Sequence, residues 1–219
     1  GERVMADRIQ NPREDLLTTI ANATLGDKPM SQSYLDGSWL LIIFAGNDTT
    51  RNSLSGTIRL LTEFPDQRQM VIDDPSLIER MSHEALRMVS PVMHMRRTAV
   101  EDTEVAGQRI ARDEKVIMWY GAANRDPTVF PDPDVFDLTR PNVDKHLAFG
   151  HGAHRCLGNR VAQMQLKMAY ERILERFPNI HWTGKQKIQP IILVHAISSL
   201  QVNLYGKDGK RPVQVAVAK

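Results

Sequence analysis

Cys156 is the only cysteine in 219 residues, and it stands in the run Phe149-Gly150-His151-Gly152-Ala153-His154-Arg155-Cys156-Leu157-Gly158. A lone cysteine forms no internal disulfide and builds none of the multi-cysteine zinc sites. Its bland role is that of a small buried hydrophobe. The neighbours here argue for chemistry instead. Two glycines before it and one after allow close approaches that a Cβ forbids. Two histidines and an arginine lie beside the thiol, and a helical pattern opens just after it. Positive charge and the free N–H groups of a helix start both favour a thiolate. The layout is that of a thiolate that holds a metal cofactor, with a glycine-rich loop that a large flat ligand can approach.

Three more clusters carry chemical potential. Ala45-Gly46-Asn47-Asp48-Thr49-Thr50 places an acid and two threonines in the middle of an apolar helical stretch. Asp and Thr are below-average helix formers, a buried carboxylate needs a partner, and a threonine hydroxyl bonding back one turn loosens a helix. A kink with a solvated Asp is the plain alternative. Glu84-Ala85-Leu86-Arg87 sets an acid and a base three residues apart on one helix face, a spacing that is mostly exposed and worth little. Arg97 leads a run into strand-like sequence, where an arginine is usually a surface residue.

The ten residues around Cys156 resemble the haem-binding signature of bacterial cytochromes P450, Phe-Gly-x-Gly-x-His-x-Cys-x-Gly, at every position. The resemblance implies that Cys156 is the proximal thiolate of haem b. It implies that His154 and Arg97 contact haem propionates, that Phe149 packs near the sulfur, and that Gly150, Gly158, Ala45 and Gly46 border the cofactor. Ala45 to Thr50 resembles the family's oxygen-activation motif, which gives Thr49 a role in oxygen activation and Asp48 a role in relaying protons. Glu84-x-x-Arg87 resembles the family's buried pair, joined there by an arginine that matches Arg140 in Phe136-Asp137-Leu138-Thr139-Arg140-Pro141; that trio is structural. Asn124-Arg125-Asp126-Pro127 fits a further family stretch.

These motifs run in family order from Ala45 to Gly158, but they represent only the C-terminal part of the family's length. Residues 1–219 are therefore expected to be the C-terminal part of a single catalytic domain, with the N-terminal part absent. The implied activity is a monooxygenase acting on an apolar small molecule, in the branch that takes alkanes and fatty acids. The implied partner is a ferredoxin-type electron donor with its reductase, met by a positive face of Lys145, Arg155 and Arg160. Two other readings stay open: a non-catalytic fragment unable to hold haem, and a non-haem site of His151, His154 and Cys156.

The bulk composition agrees with a globular protein. Lys plus Arg is 28 against 26 for Asp plus Glu, too balanced for a nucleic-acid binder. The longest apolar run, Trp39 to Ala45, is too short to span a bilayer. No signal peptide is visible, and one unpaired cysteine fits a reducing, cytoplasmic compartment. The elements that must position the site read as mainly α with a small β component. Glu2 to Leu25 is helical in pieces. Ser31 to Phe64 is one helix of about 50 Å, and its Leu40–Ala45 centre is expected to be buried on all sides. Ser76 to Val89 is a helix between prolines, and Glu101 to Tyr120 forms hairpin strands. Asn124 to Asn142 is an irregular Pro- and Asp-rich meander. Gly158 to Phe177 is a helix with Val161, Met164, Leu166, Met168, Ile173 and Leu174 as its apolar set. Ile191–Val194 and Leu200–Leu204 are late strands. The family resemblance further implies that Val92, Met93, His94 and part of Ala196–Ser199 face the substrate side, although His94 equally suits a hydrogen-bonded core histidine.

Overall fold

The structure, a computed structural model, describes residues 1–209. The chain divides into two compact units, residues 1–48 and residues 49 onward. In the first, α1 (Glu2–Gln10) and α2 (Leu16–Ala21) are joined through Asp15. That carboxylate caps α2 by accepting from Thr18 N–H at 2.7 Å and also accepts from Arg8 Nε at 2.7 Å. Both bonds hold its pKa down at about 2, the Thr18 backbone bond most of all. A small hairpin follows, β1 (Thr24–Leu25) with β2 (Lys28–Pro29). The long helix α3 (Gln32–Glu63) carries the boundary between the units within its run.

The expectation of a buried centre for α3 is corrected. Leu40 and Leu41 are 67% and 64% exposed, and Ile43 and Phe44 are also open to solvent. No element of residues 1–48 covers that face, so the apolar stretch has formed a helix without a partner on its outer side.

The core of the second unit is built where α3, α5 and α7 meet. Pro65, read from sequence as the end of a helix, instead sits at the start of a new one, α4 (Pro65–Asp73), where a missing N–H is harmless. A 3-10 turn (Pro75–Leu77) leads into α5 (Ile78–Val89), which ends at Ser90 in the left-handed region and at Pro91. Nine of the twelve residues of α5 are buried. Gly56 on α3 makes this possible: a Cβ there would lie 2.5 Å from a Val89 methyl. Leu60, Leu61, Met81, Ala85, Leu86, Phe136, Leu138, Leu166, Tyr170 and Leu174 fill the space between. The 18-residue α7 (Asn159–Arg176) turns Leu166, Tyr170 and Leu174 inward. Val161, Met164 and Met168, expected in the same apolar set, lie on its exposed side. Across the buried side, Tyr170 donates to Thr57 Oγ1 at 2.6 Å, and Thr57 donates to Ser53 O at 2.8 Å.

Four antiparallel two-stranded sheets complete the described fold. β3 (His94–Thr98) pairs with β6 (Lys115–Trp119), with Arg97 opposite Val116. Between them β4 (Thr103–Val105) and β5 (Gln108–Ile110) close on Ala106 and Gly107, both at positive φ, the backbone of a tight hairpin turn. β7 (His181–Gln189) pairs with β8 (Ala196–Asn203) across two register shifts. The expected strand at Ile191–Val194 is a loop, because Pro190 removes a ladder donor; only Val194 bridges, to Val92. The helix-rich character with small sheets agrees with the sequence reading.

Candidate active site

Glu84, Arg87 and Arg140 do come together. All three are buried, the first two completely. Both oxygens of Glu84 accept from Arg87, Oε2 from Nε and Oε1 from Nη2, each at 2.8 Å. Oε1 also accepts from Arg140 Nε and from Asp137 N–H, both at 3.2 Å. The remaining guanidinium donors capture main-chain carbonyls of the meander. Arg87 reaches Asn124 O and Pro133 O through Nη1, and Val135 O through Nη2. Arg140 reaches Pro131 O, Asp132 O and Val135 O. Arg87 also stacks over the Phe130 ring at 5.2 Å. Arg80, one turn earlier on α5, extends the pattern by donating to Leu138 O and Arg140 O.

From this anchor two side chains reach the approach to Cys156. Asn124 follows α6 (Tyr120–Ala123) and is fully buried. Its Nδ2 donates to Ser90 Oγ at 2.9 Å, and its Oδ1 accepts from Leu147 N–H at 2.6 Å. One side chain thus ties the end of α5 to the connector that enters the cysteine turn. Sequence reasoning saw Asn124 only as part of a short motif, since nothing in its neighbours shows that both ends of its amide are used. The second is His146, buried in the same connector beside a 3-10 turn (Val143–Lys145), with its ring 5.8 Å from that of Phe149. Burial, then the neighbouring His83, pushes its pKa down to about 3.

The cysteine turn itself is held by main-chain bonds. Cys156 N–H donates to Phe149 O at 2.8 Å, and Gly150 N–H donates to Leu147 O at 2.9 Å. A single 3-10 turn (Gly152–His154) lies between, closed by Arg155 N–H on Gly152 O. Gly150 takes a φ of +68°, a backbone that L side chains rarely adopt. A Cβ there would face His154 O at 3.5 Å and the Tyr120 hydroxyl at 3.7 Å. After the thiol, Asn159 Nδ2 donates to Cys156 O at 2.7 Å as α7 begins. Phe149 is half-buried, and residues 151–158 are all exposed, Cys156 among them.

The other expected residues lie on separate elements. Arg97 is exposed on β3 and donates from Nη1 to Arg96 O at 3.0 Å. Its sheet comes near the cysteine turn through Tyr120, which follows β6 directly. His94 is half-buried with its ring edge-on to Trp119 at 4.7 Å, so the hydrogen-bonded core histidine is His146 rather than His94. Thr49 and Asp48 are half-buried, and Thr49 O accepts from Ser53 Oγ at 2.8 Å, the back-bond that threonine- and serine-rich helices make. Ala45 and Gly46 are exposed in the first unit, and a Cβ on Gly46 would meet nothing within 4 Å.

A family model described as Cytochrome P450 matches residues 72–201, more than half of the sequence. The chain belongs to the cytochrome P450 family. Linalool 8-monooxygenase of Pseudomonas putida is 39% identical over 206 residues, which are 94% of this chain and 50% of that protein. A steroid C26-monooxygenase of Mycobacterium tuberculosis is 34% identical over 197 residues, covering 90% of this chain and 53% of that one. The solved cytochrome P450-153 from Novosphingobium aromaticivorans matches with a TM-score of 0.80 at 40% identity, over 92% of this chain and 50% of that one. The chain thus spans about half the length of these relatives, and its structure is part of the P450 fold.

Family membership implies haem b, and the residues of the cysteine turn fit it. Its donor set is one exposed soft thiol. Among the described residues no three His, Cys, Asp or Glu side chains are grouped to hold a metal ion, which corrects the reading of a His151, His154 and Cys156 site. A Cβ on Gly152 or Gly158 would touch nothing within 4 Å, and Leu157 is 78% exposed, so the surface around the thiol is open and partly apolar. Also among the described residues, no helix is long and apolar enough to cross a membrane.

Proposed function

We propose that this chain is the C-terminal part of a haem-thiolate monooxygenase, which inserts one atom of dioxygen into a C–H bond of an apolar substrate. The observation that carries the reading is the position of the only thiol, exposed on a turn whose approach is tied to the buried Glu84–Arg87–Arg140 network. Haem, when bound, supplies the oxygen chemistry; the protein supplies ligand, orientation and protons. Cys156 is the residue to hold the iron. Arg97 and His154 are exposed hydrogen-bonding groups suited to propionates, for which a planar guanidinium gives charge-assisted bonds. Within α3, the Thr49 hydroxyl and the Asp48 carboxylate are the groups to hold and pass a proton.

An apolar substrate is supported by the activities for which two relatives are named, on linalool and on a steroid. The alkane or fatty-acid preference rests on the sequence resemblance. A ferredoxin-type donor with its reductase is supported by Lys145, Arg155 and Arg160, all exposed around the cysteine turn. A cytoplasmic setting suits such partners. The deciding experiment is the carbon monoxide difference spectrum of the reduced, haem-loaded protein. A thiolate-type spectrum is expected, and its loss in Cys156→Ala. An unchanged Soret position in Cys156→Ala would remove Cys156 as ligand.

A further inference from the structure

His83 on α5 and His146 in the connector face each other, with His83 Nδ1 3.2 Å from His146 Nε2. The order of protons in this pair is fixed by its ends. Ala148 N–H can only donate, and it lies 3.2 Å from His146 Nδ1, so that nitrogen accepts. The His146 proton is then on Nε2 and points at His83 Nδ1, which accepts in turn. That leaves the His83 proton on Nε2, directed at the Gln163 amide of α7. The Gln163 side-chain nitrogen lies 3.5 Å away. Two donors cannot pair, so the half-turned amide, with its oxygen toward the ring, completes the chain.

We propose that His83 and His146 form a neutral-state latch, a pair of positioning residues that fastens the entry of the cysteine turn to the Glu84–Arg87 helix and releases it when either ring takes up a proton. The path to the thiol is short. His146 packs on Phe149, and Phe149 O accepts the Cys156 N–H. A third proton on the pair has no acceptor. On His83 Nδ1 it meets the Nε2–H of His146, and on His146 Nδ1 it meets the Ala148 N–H. One of the two bonds must break in either case.

The surrounding charges are mixed, and burial decides. His83 is faced by Asp144 of the 3-10 turn and by Glu79 and Arg80 of its own helix, with burial the larger influence and its pKa lowered. His146 is faced by Asp144, by Arg87 from α5 and by Arg155 from the cysteine turn. From α7 come Gln163 and, through its ion pair with Glu79 at 4.0 Å, Lys167. The two carboxylates favour protonation, while the three arginines and burial oppose it.

The latch itself does not depend on haem; its effect on the iron ligand rests on the function proposed above, and the test separates the two. The first measurement is nitrogen NMR of histidine-labelled full chain at neutral pH. It should show both rings neutral with the proton on Nε2, and an Nδ1–H form of either ring overturns the proposal. The second compares His83→Asn, whose oxygen replaces Nδ1 as a non-titrating acceptor, with His83→Leu, which leaves the His146 proton unpaired. At neutral pH the thermal midpoint of His83→Asn should match wild type, while that of His83→Leu falls by several degrees, roughly the loss of one buried hydrogen bond. Equal midpoints for the two variants overturn the latch. In the haem-loaded protein, the thiolate-type carbon monoxide spectrum should be lost on acidification, and at a lower pH in His83→Asn than in wild type. Identical acid midpoints for that loss also overturn it. If the thiolate-type spectrum is absent at every pH, the haem-thiolate function fails, and the tautomer and midpoint results still judge the latch.

Discussion

Replacing Glu84 by alanine tests the anchor most directly. The carboxylate accepts four hydrogen bonds, three from two guanidinium groups and one from Asp137 N–H, at 2.8–3.2 Å. After truncation Arg87 and Arg140 keep their carbonyl partners, but two positive charges stay buried with no negative one. Breaking a buried pair from one side costs about 3–5 kcal/mol. At about 2–4 °C per kcal/mol for a chain of this size, the thermal midpoint should fall by roughly 6–20 °C. Glu79→Ala is the control. Glu79 is an exposed acid on the same helix whose Lys167 partner is 4.0 Å away, and its removal should cost under about 1 kcal/mol. Calorimetry and haem content of both variants, in full-length context, give the answer. Because the arginines hold the meander that leads to the cysteine turn, haem content should fall with the midpoint in Glu84→Ala. A midpoint within about 2 °C of wild type, matching Glu79→Ala, would show that the trio is no anchor.

Three further outcomes are expected. Thr49→Ala should bind substrate normally yet divert reducing equivalents to peroxide or water, read as product per cofactor consumed, while Asp48→Asn slows turnover; an unchanged ratio removes Thr49 from oxygen activation. Tyr170→Phe deletes the buried bond to Thr57 without opening a cavity, so urea unfolding should show a loss of about 0.5–1.5 kcal/mol. Stability should also fall with acid: His146 has its pKa lowered to about 3 in the fold against an ordinary value of about 6.5, so the unfolded chain binds the proton first. The His146 contribution is complete above pH about 6.5 and is lost progressively as pH falls toward 3, amounting to roughly 2 kcal/mol by pH 5 in urea titrations.

The chemistry-bearing residues were more legible in the sequence than their supports. Glu84 and Arg87 stand three apart on a helix, and that spacing predicted a pair on one face. It did not predict that most of their other contacts are main-chain carbonyls of residues 131–135, because carbonyls leave no mark in side-chain identity. His146 escaped for a related reason: a single histidine between Lys145 and Leu147 looks solvated, and only the meeting with His83 across 63 positions buries it. α4 is hidden in the sequence because Pro65 signals the end of the preceding helix, whereas at the first helical position proline is a start. β7 reads His-Trp-Thr-Gly-Lys-Gln-Lys-Ile-Gln, with little apolar alternation, since its pairing with β8 leaves most of it exposed. The apolar run Leu40–Ala45 suggests burial because composition reports what a face could pack against, yet Leu40, Leu41, Ile43 and Phe44 are exposed.

The choice of two arginines around one glutamate follows from what has to be held. The meander from Pro127 to Pro141 carries four prolines within its irregular backbone, so its carbonyls find few ladder or helix partners. A buried carbonyl without a donor is costly, and a guanidinium offers five donors in one plane. Arg87 and Arg140 each spend part of that fork on Glu84 and the rest on carbonyls, with Val135 O shared between them. The carboxylate fixes where the forks sit, and the forks fix the loop. A lysine pair would carry the same charge but could not span these separated acceptors. The exposed cysteine turn can therefore remain open at its surface, because the precision of its placement comes from rigid groups packed beneath it. The histidine pair lies on the same route, with one ring beside Glu84 and the other in the segment that enters the turn.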